Sequence, residues 1–557
     1  MTTGLVMAGP SLWGVTFGPG PVDPIVLEWK DRREELTMTE RFDAIVIGSG
    51  LGGLTAGALF SHAGYRVLLL ERNDHFGGAA TTYHRGRMTI EASLHETTDP
   101  RRGPDLKAGV FDALGLYDEL EFVPISDFYE VRSPMIGEPL VMPFGIEAVT
   151  ACLSARFPQE AEAIERFFSR LERVEAGIYA LAEKHSGRWW LAHGVEIPLS
   201  LWPVLRDFRS SVSTVLNRSF GDNEALKLAV AANLAYYGDD PDTMWWLAFA
   251  VAQGGYLTGG GHYIKGGSQT LSDLLVERIE AGGGESRSGR EVTEILLDDS
   301  GRAVGVRHRA TADGDVDDEH APVVFANAAP HVVAGMLPED VGRAFMAPYV
   351  DKPLSISLFS ITLGLDKPPA EFGVTSYSTV LVPGWVTELR DFKRCANLLA
   401  IDPGERMPVM GVCDHNHIDS GLHADGDLYS LNVVGIDRLA NWEHLDANAY
   451  RRRRRLWLKA VIAGLDAEWP GLADAVQEQH MATARTMHDY LNTPQGAVYG
   501  WEYRVPEGIP TGGSFGSPAT SVDGLWLASS YAGMGGFTGS IGGGTAAARA
   551  AMAAQRS

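Results

Sequence analysis

Two short apolar runs joined through a glycine turn constrain this chain more than any other feature. Residues 44 to 78 read AIVIGSGLGGLTAGALFSHAGYRVLLLERNDHFGG. An apolar run, Ala44 to Ile47, meets Gly48-Ser49-Gly50-Leu51-Gly52-Gly53. A small-residue helix follows from Leu54 to Ala63, and a second strand, Arg66 to Leu70, ends in Glu71. Strand, glycine turn, helix, strand and acid, in that order, make a βαβ unit suited to a dinucleotide. A side chain at Gly48 or Gly50 would block the turn or the approach of a pyrophosphate. Gly53 lets the helix lie close to the strand, and the helix N-terminus offers free N–H groups to phosphate. Glu71 stands where a carboxylate accepts ribose hydroxyls. The unit alone does not separate FAD from NAD.

At 557 residues the chain is too long for one compact core, so two or more domains are expected. Its 64 glycines exceed the usual share of about 7% and fall in clusters, which suits backbone packed closely on a ligand. The net charge of −24, from 47 basic against 71 acidic residues, argues against a nucleic-acid partner and against whole-surface attraction to anionic lipid. Three separated cysteines, Cys152, Cys395 and Cys413, imply no disulfide framework and fit a reducing cytoplasm. No run approaches the roughly 18 apolar residues of a spanning helix. Residues 1–40 show neither periodicity nor a signal-peptide pattern and read as a flexible leader.

Residues 105–120 and 148–182 look largely helical, the second stretch breaking near Pro158. Residues 189–258 are dense in aromatics, among them Trp189, Trp190, Trp202, Phe208, Tyr236, Tyr237, Trp245, Trp246 and Phe249. A helical core and a wall for a large apolar substrate are equally good readings of that density. Leu271, Leu274, Leu275 and Ile279 share one helix face, closed by Gly282. A hairpin over 292–306, a buried strand at 323–326 and several strands between 350 and 440 follow. Near the end, GLWLA (524–528) is a strand leading to SSYAGMGGFTGSIGGGTAAARAAMAA. There Gly533, Gly535, Gly536 and Gly539 read as a flexible turn before a helix from Thr545. A second glycine loop at a helix N-terminus would stabilise charge developing on a reduced flavin, and an NAD site alone would not need it.

These stretches together resemble the phytoene desaturase-type flavoproteins, closest to the carotenoid isomerase and retinol saturase branch. The likeness runs from Phe42 to Ala554. It rests on the fingerprint ending in Glu71, Arg72 and Gly77-Gly78, on YIKGGSQTLSDLLVERIEAGGGESRSGREVTEILLDDSGRAVGV from Tyr263, on TPQGAVYGWE from Thr493, and on GLWLASSYAGMGGFTGSIGGG from Gly524. The resemblance implies FAD, bound without covalent attachment. It also implies a discontinuous Rossmann-type FAD-binding domain in an α/β fold (residues 41–145, 262–335 and 500–557), with an inserted mixed-sheet and helical substrate domain (146–261 and 336–499). By the same likeness Val292 contacts the adenine through its backbone, and Gly535-Gly536 lie beneath the isoalloxazine. The substrates implied are long, apolar, conjugated lipids. No second strand–GxGxxG–helix occurs, so electrons would leave to a diffusing acceptor such as oxygen or a quinone.

The branch carries a Gly-Phe-x-Phe-Asp-x-Gly-x-His-Tyr pattern after the glycine pair. Here His95 matches, while Ile90, Glu91, Ser93 and Glu96 replace Phe, Asp, Gly and Tyr. The changes point to a substrate more polar than a hydrocarbon carotene. His95 and Glu96 are the candidate catalytic groups, since either could take a proton as hydride leaves the neighbouring carbon. The bland alternative for Glu96 is an ion pair with Arg101 or Arg102. Cys413-Asp414-His415-Asn416-His417 lacks the paired spacing of a zinc site and reads as a polar loop, so no metal is expected. Arg451 to Arg455 point all round a helix and read as a solvated surface. Peripheral docking to a membrane, with Trp457 at the interface, is the sharper reading.

The sequence therefore describes a cytoplasmic FAD-dependent oxidoreductase that desaturates or saturates C–C bonds of a polyene or isoprenoid. Three alternatives stand beside it: a redox-neutral isomerase using reduced FAD, an amine oxidase-like flavoenzyme, and a non-catalytic flavin-bound lipid carrier.

Overall fold

The computed structural model describes residues 42–103, 105–182, 196–508 and 516–556, with positions 180–182 and 196–201 described by backbone alone. The leader at 1–40, Trp189 and Trp190 lie outside the described residues.

Strand Ala44–Ile47 pairs in parallel with Val67–Leu70 on one side and Val323–Ala326 on the other. Leu525–Leu527 and Glu285–Arg287 extend the two edges, giving a five-stranded parallel sheet. The three central strands are buried at every position, which is why they read as unbroken apolar runs rather than as alternation. Ala44 and Val46 face helices Leu51–His62, Ser268–Ala281 and Gly536–Ala554. Ile45 and Ile47 face a three-stranded sheet that begins at Arg290–Leu297 and helices Pro330–Gly335 and Glu339–Met346.

A second, seven-stranded sheet holds Ser357–Leu365, Tyr429–Asp437, Met410–Cys413 and Ser378–Leu381 in its middle. Tyr129–Arg132 joins it in parallel, with Leu140–Met142 at the edge. Sequence had grouped these two strands with the nucleotide segment that runs to residue 145. Helices Ile146–Arg156 and Ala161–Ala182, broken at Phe157-Pro158, pack with Val212–Phe220 and Trp246–Gly259 into a helical core. The aromatic segment divides between its two readings. Trp245, Trp246 and Phe249 are core, Tyr236 and Tyr237 line a cavity, and Trp202 is 62% exposed.

Two expectations change. The last helix begins at Gly536 and not at Thr545. Its glycines serve close approach rather than flexibility: a Cβ on Gly544 would stand 2.1 Å from the Gly52 carbonyl oxygen, and one on Gly543 2.4 Å from that of Ser529. Trp457 is not at an interface. It is 1% exposed, its indole N–H donates to the Ile401 carbonyl, and Arg452 beside it pairs with Asp402 at 2.7 Å. No helix among the described residues is long and apolar enough to cross a membrane.

Candidate active site

The glycine turn leaves strand Ala44–Ile47 at Gly48, whose φ of +87° few side chains tolerate. Gly50 then caps helix Leu51–His62. A Cβ on Gly52 would lie 2.2 Å from the Ala528 carbonyl oxygen, so the helix N-terminus seats directly on the strand end beyond it. Gly53 sits just behind, on the Gly48 carbonyl. Glu71, 5% exposed, accepts the Ser49 N–H at 2.9 Å and the Ser49 hydroxyl at 2.7 Å through Oε2. Its Oε1 accepts the Asn73 N–H at 2.8 Å. Ser49 Oγ in turn accepts the Gly77 N–H at 3.1 Å, lacing the Gly77-Gly78 turn to the loop. Arg72 directs its guanidinium at the Asp489 and Tyr490 carbonyls and so fixes helix Ala484–Leu491 beside the loop.

Asn327, which the sequence reading passed over, closes this end. In the amide orientation that satisfies both atoms, its oxygen accepts the Gly50 N–H at 2.8 Å and its nitrogen donates to the Ala528 carbonyl at 2.9 Å. An asparagine directly after a fully apolar strand was the only signal available for it.

One cavity of about 950 Å³, near the upper end of the range for ligand pockets, borders the loop from Gly48 to Gly52, Glu71, Arg72, Gly77-Gly78 and Asn327, while Gly53 lies behind it. It continues past Val292, past Gly535-Gly536 at the N-terminus of the last helix, and on to His95 and Glu96. The sequence-predicted residues therefore share one space. Beyond His95 the wall is phenolic and apolar, with Tyr236, Tyr237, Tyr256, Tyr499, Phe128 and Val251.

The segment carrying His95 and Glu96 is held from behind. Glu91 takes six hydrogen bonds, from Ser93 N–H, Leu94 N–H, both donors of Ser268, the Thr82 hydroxyl and the Tyr263 hydroxyl. His415 donates from Nε2 to the Leu94 carbonyl at 3.3 Å, while its Nδ1 accepts from Asn432 at 3.1 Å. Tyr377 donates to the His95 carbonyl and Tyr256 to that of Glu96. His415 thus belongs to this scaffold; with Cys413 it forms a buried strand end and turn.

Burial disfavours the charged form of both candidates. His95 is pushed down to about 3, first by desolvation and then by the neighbouring His415. His95 Nδ1 and the Tyr236 hydroxyl, itself hydrogen-bonded with Ser378, share a hydrogen bond of 2.9 Å. Glu96 is pushed up to about 8 by desolvation alone. At neutral pH the pair is therefore a neutral, weakly basic imidazole and a protonated acid. Arg101 and Arg102, the partners that the bland alternative gave Glu96, pair with Asp99 instead, at 2.9 and 3.7 Å.

A parallel sheet, a glycine loop at a helix N-terminus and one long cavity define the class: a Rossmann-type dinucleotide-binding domain opening on a large ligand chamber. Residues 46–114 match the family model for an NAD(P)-binding Rossmann-like domain. The zebrafish (Danio rerio) all-trans-retinol 13,14-reductase is 23% identical over 544 residues, spanning 90% of this chain and 85% of the relative. The neurosporene-forming phytoene desaturase of Rhodobacter capsulatus is 28% identical over 498 residues, 87% of this chain and 88% of that one. Along most of its length the chain is thus similar to enzymes named for redox changes on retinoids and carotenoids. Among solved structures, cyclohexylamine oxidase from Brevibacterium oxydans superposes with a TM-score of 0.55 at 15% identity, covering 93% of this chain and all (100%) of its own, a likeness of fold alone.

Proposed function

We propose that the protein is an FAD-dependent oxidoreductase that desaturates or saturates a carbon–carbon bond in a long, largely apolar polyene or isoprenoid. The observation that supports this is the single cavity joining two helix N-termini, Leu51–His62 and Gly536–Ala554, to a phenolic and apolar chamber. Gly48, Ser49, Gly50, Gly52 and Glu71 would hold the ADP half, with the pyrophosphate at the first helix N-terminus, and Gly53 keeps that helix close against the turn. Gly77-Gly78, Arg72 and Val292 flank it. The other half of the dinucleotide then reaches Gly535-Gly536, where the second helix dipole favours negative charge. Bound FAD supplies two-electron exchange with the substrate. The retinol reductase and phytoene desaturase relatives are named for redox changes on polyenes, which favours this chemistry over amine oxidation.

His95 and Glu96 face the substrate. His95 presents a neutral imidazole, and Glu96 holds a proton to about pH 8, giving it up only when more basic solvent or a bound group draws it off. The tyrosine-lined wall excludes water from the reacting bond. Oxygen or a quinone serves as the electron acceptor.

The purified protein should be yellow and release FAD on denaturation. Mixed anaerobically with a candidate polyene, oxidised enzyme should bleach in the desaturating direction, and pre-reduced enzyme should reoxidise in the saturating one. Recovery of NAD(P) alone, or product only from reduced flavin with unchanged substrate mass, would reject the reading.

A further inference from the structure

A lysine without exposed surface stands behind the first turn of the last helix. Lys107 is 0% exposed. Its ammonium donates to Asp105 Oδ2 at 2.7 Å, to the Thr98 hydroxyl at 2.9 Å and to the Thr538 hydroxyl at 3.1 Å, so all three protons are used. Asp105 is held as firmly. Its Oδ1 accepts the Lys107 backbone N–H at 2.8 Å, and its Oδ2 also accepts the Thr98 hydroxyl. Thr538 is the third residue of helix Gly536–Ala554. Thr98, Asp105 and Thr538 border the cavity together with Gly535-Gly536, and Lys107 lies one layer behind them.

That placement is unfavourable on two counts. Desolvation holds Lys107 below the ordinary lysine range, against the opposing pull of Asp105. A helix N-terminus also repels a cation. Packing alone does not account for the pair, because apolar side chains of similar volume commonly replace a buried ion pair without loss of stability. A use for the charge does account for it. Taking up two electrons and one proton leaves a flavin ring with one negative charge, and a cation stabilises that charge far more in a buried site than in water. We propose that Lys107 sets the reduction potential of the bound flavin: its ammonium favours the reduced, negatively charged ring, and the Asp105 carboxylate limits how far. Lys107 acts from behind the cavity wall, through its charge and through its hold on Thr538, and is not itself a catalytic group. The inference rests on the functional reading above, which seats the flavin ring at Gly535-Gly536.

The test is the midpoint potential of FAD-loaded, full-length protein, read by anaerobic equilibration with a reference dye. Sulfite affinity gives a second measure, since sulfite adds to an oxidised flavin and leaves negative charge on the ring. Both report the local field without any substrate. Lys107→Met should lower the potential by about 30 mV, a tenfold change in a two-electron equilibrium, and weaken sulfite binding about tenfold. Asp105→Asn removes the opposing charge and should raise the potential and tighten sulfite. Opposite shifts are the signature of charge, whereas loosened packing would move both variants the same way. Shifts of one sign, or no shift in either variant, would overturn the proposal. Where Lys107→Met does not fold, the nearly isosteric Asp105→Asn decides alone, and an unchanged or lowered potential there rejects it. If the wild type takes up no flavin at all, the functional reading fails and this inference falls with it. A bound flavin indifferent to both charges overturns the inference alone.

Discussion

At one end of the cavity Glu71 accepts three hydrogen bonds from Ser49 and Asn73, and Asn327 ties Gly50 to Ala528. At the other, Glu96 keeps an unpartnered carboxyl oxygen, and Tyr237 and Tyr499 border the cavity with hydroxyls that meet no partner among the described residues. The first end satisfies its own side chains and leaves backbone N–H groups at a helix N-terminus for the ligand, which suits a cofactor that stays. The second leaves side-chain groups to be completed by whatever enters, which suits a substrate that is recognised and released. Rigidity without the ligand and dependence on it are separated along one cavity.

Four experiments strain that contrast, the first having the largest expected effect. Gly52→Ala sets a Cβ against the Ala528 carbonyl, backbone against backbone, with no flexible side chain to yield. Little soluble protein and no bound flavin are expected; a normal flavin-to-protein absorbance ratio would mean that the rigid end is not rigid. Glu91→Ala removes six hydrogen bonds behind the His95 segment and should cost about 3 kcal/mol or more in denaturant unfolding. Because Glu91 belongs to the scaffold of the far end, the flavin should stay bound while turnover falls.

Glu71→Ala should weaken FAD by roughly tenfold to a hundredfold, from the loss of about 1.5–3 kcal/mol of charge-assisted hydrogen bonding. Equilibrium dialysis measures it, and unchanged retention would assign the loop's order to Asn327 alone. The smallest effect is on pH dependence. Folded Glu96 holds its proton to about 8, against 4.5 for the ordinary carboxyl, so stability falls as pH rises across that interval. His95, lowered from 6.5 to about 3, makes stability fall as pH drops below 6.5. The slopes oppose between 4.5 and 6.5, and above 6.5 that of Glu96 remains. Between pH 6.5 and 8 the wild type should lose melting temperature that Glu96→Gln retains; parallel curves would show that Glu96 does not titrate there.

The same contrast explains what could be read from sequence. The nucleotide end is written largely in one contiguous stretch, where glycine spacing, strand runs and Glu71 each have a local physical meaning. The helix at Ser268–Ala281, the hairpin from Arg290 and the strand Val323–Ala326 were legible for the same reason. The far end is assembled from Glu96, Tyr237, Tyr377, His415 and Tyr499, residues from separate elements that no periodicity links. Asn327 was invisible because a single polar residue after a strand has many ordinary uses. The glycines of the last helix misled because their reason is tertiary: they admit the Gly52 and Ser529 carbonyls, so a stretch that looks flexible is a packed helix. Trp457 misled similarly, since a tryptophan beside five arginines can face either lipid or its own core.

The sheet order carries a consequence for synthesis. Ala44–Ile47 is flanked by Val323–Ala326, and that strand by Leu525–Leu527. A nascent chain that has emerged only through the first βαβ unit therefore displays an apolar strand with one bare edge, and helix Leu51–His62 without the helix that seats Gly544 against Gly52. Such edges invite pairing with other chains. Parallel pairings this distant in sequence also close slowly. The fingerprint that is easiest to recognise is thus among the last parts able to finish folding. During translation that edge stays bare, and the cavity beside it is complete only once Gly535-Gly536 and the last helix have been made.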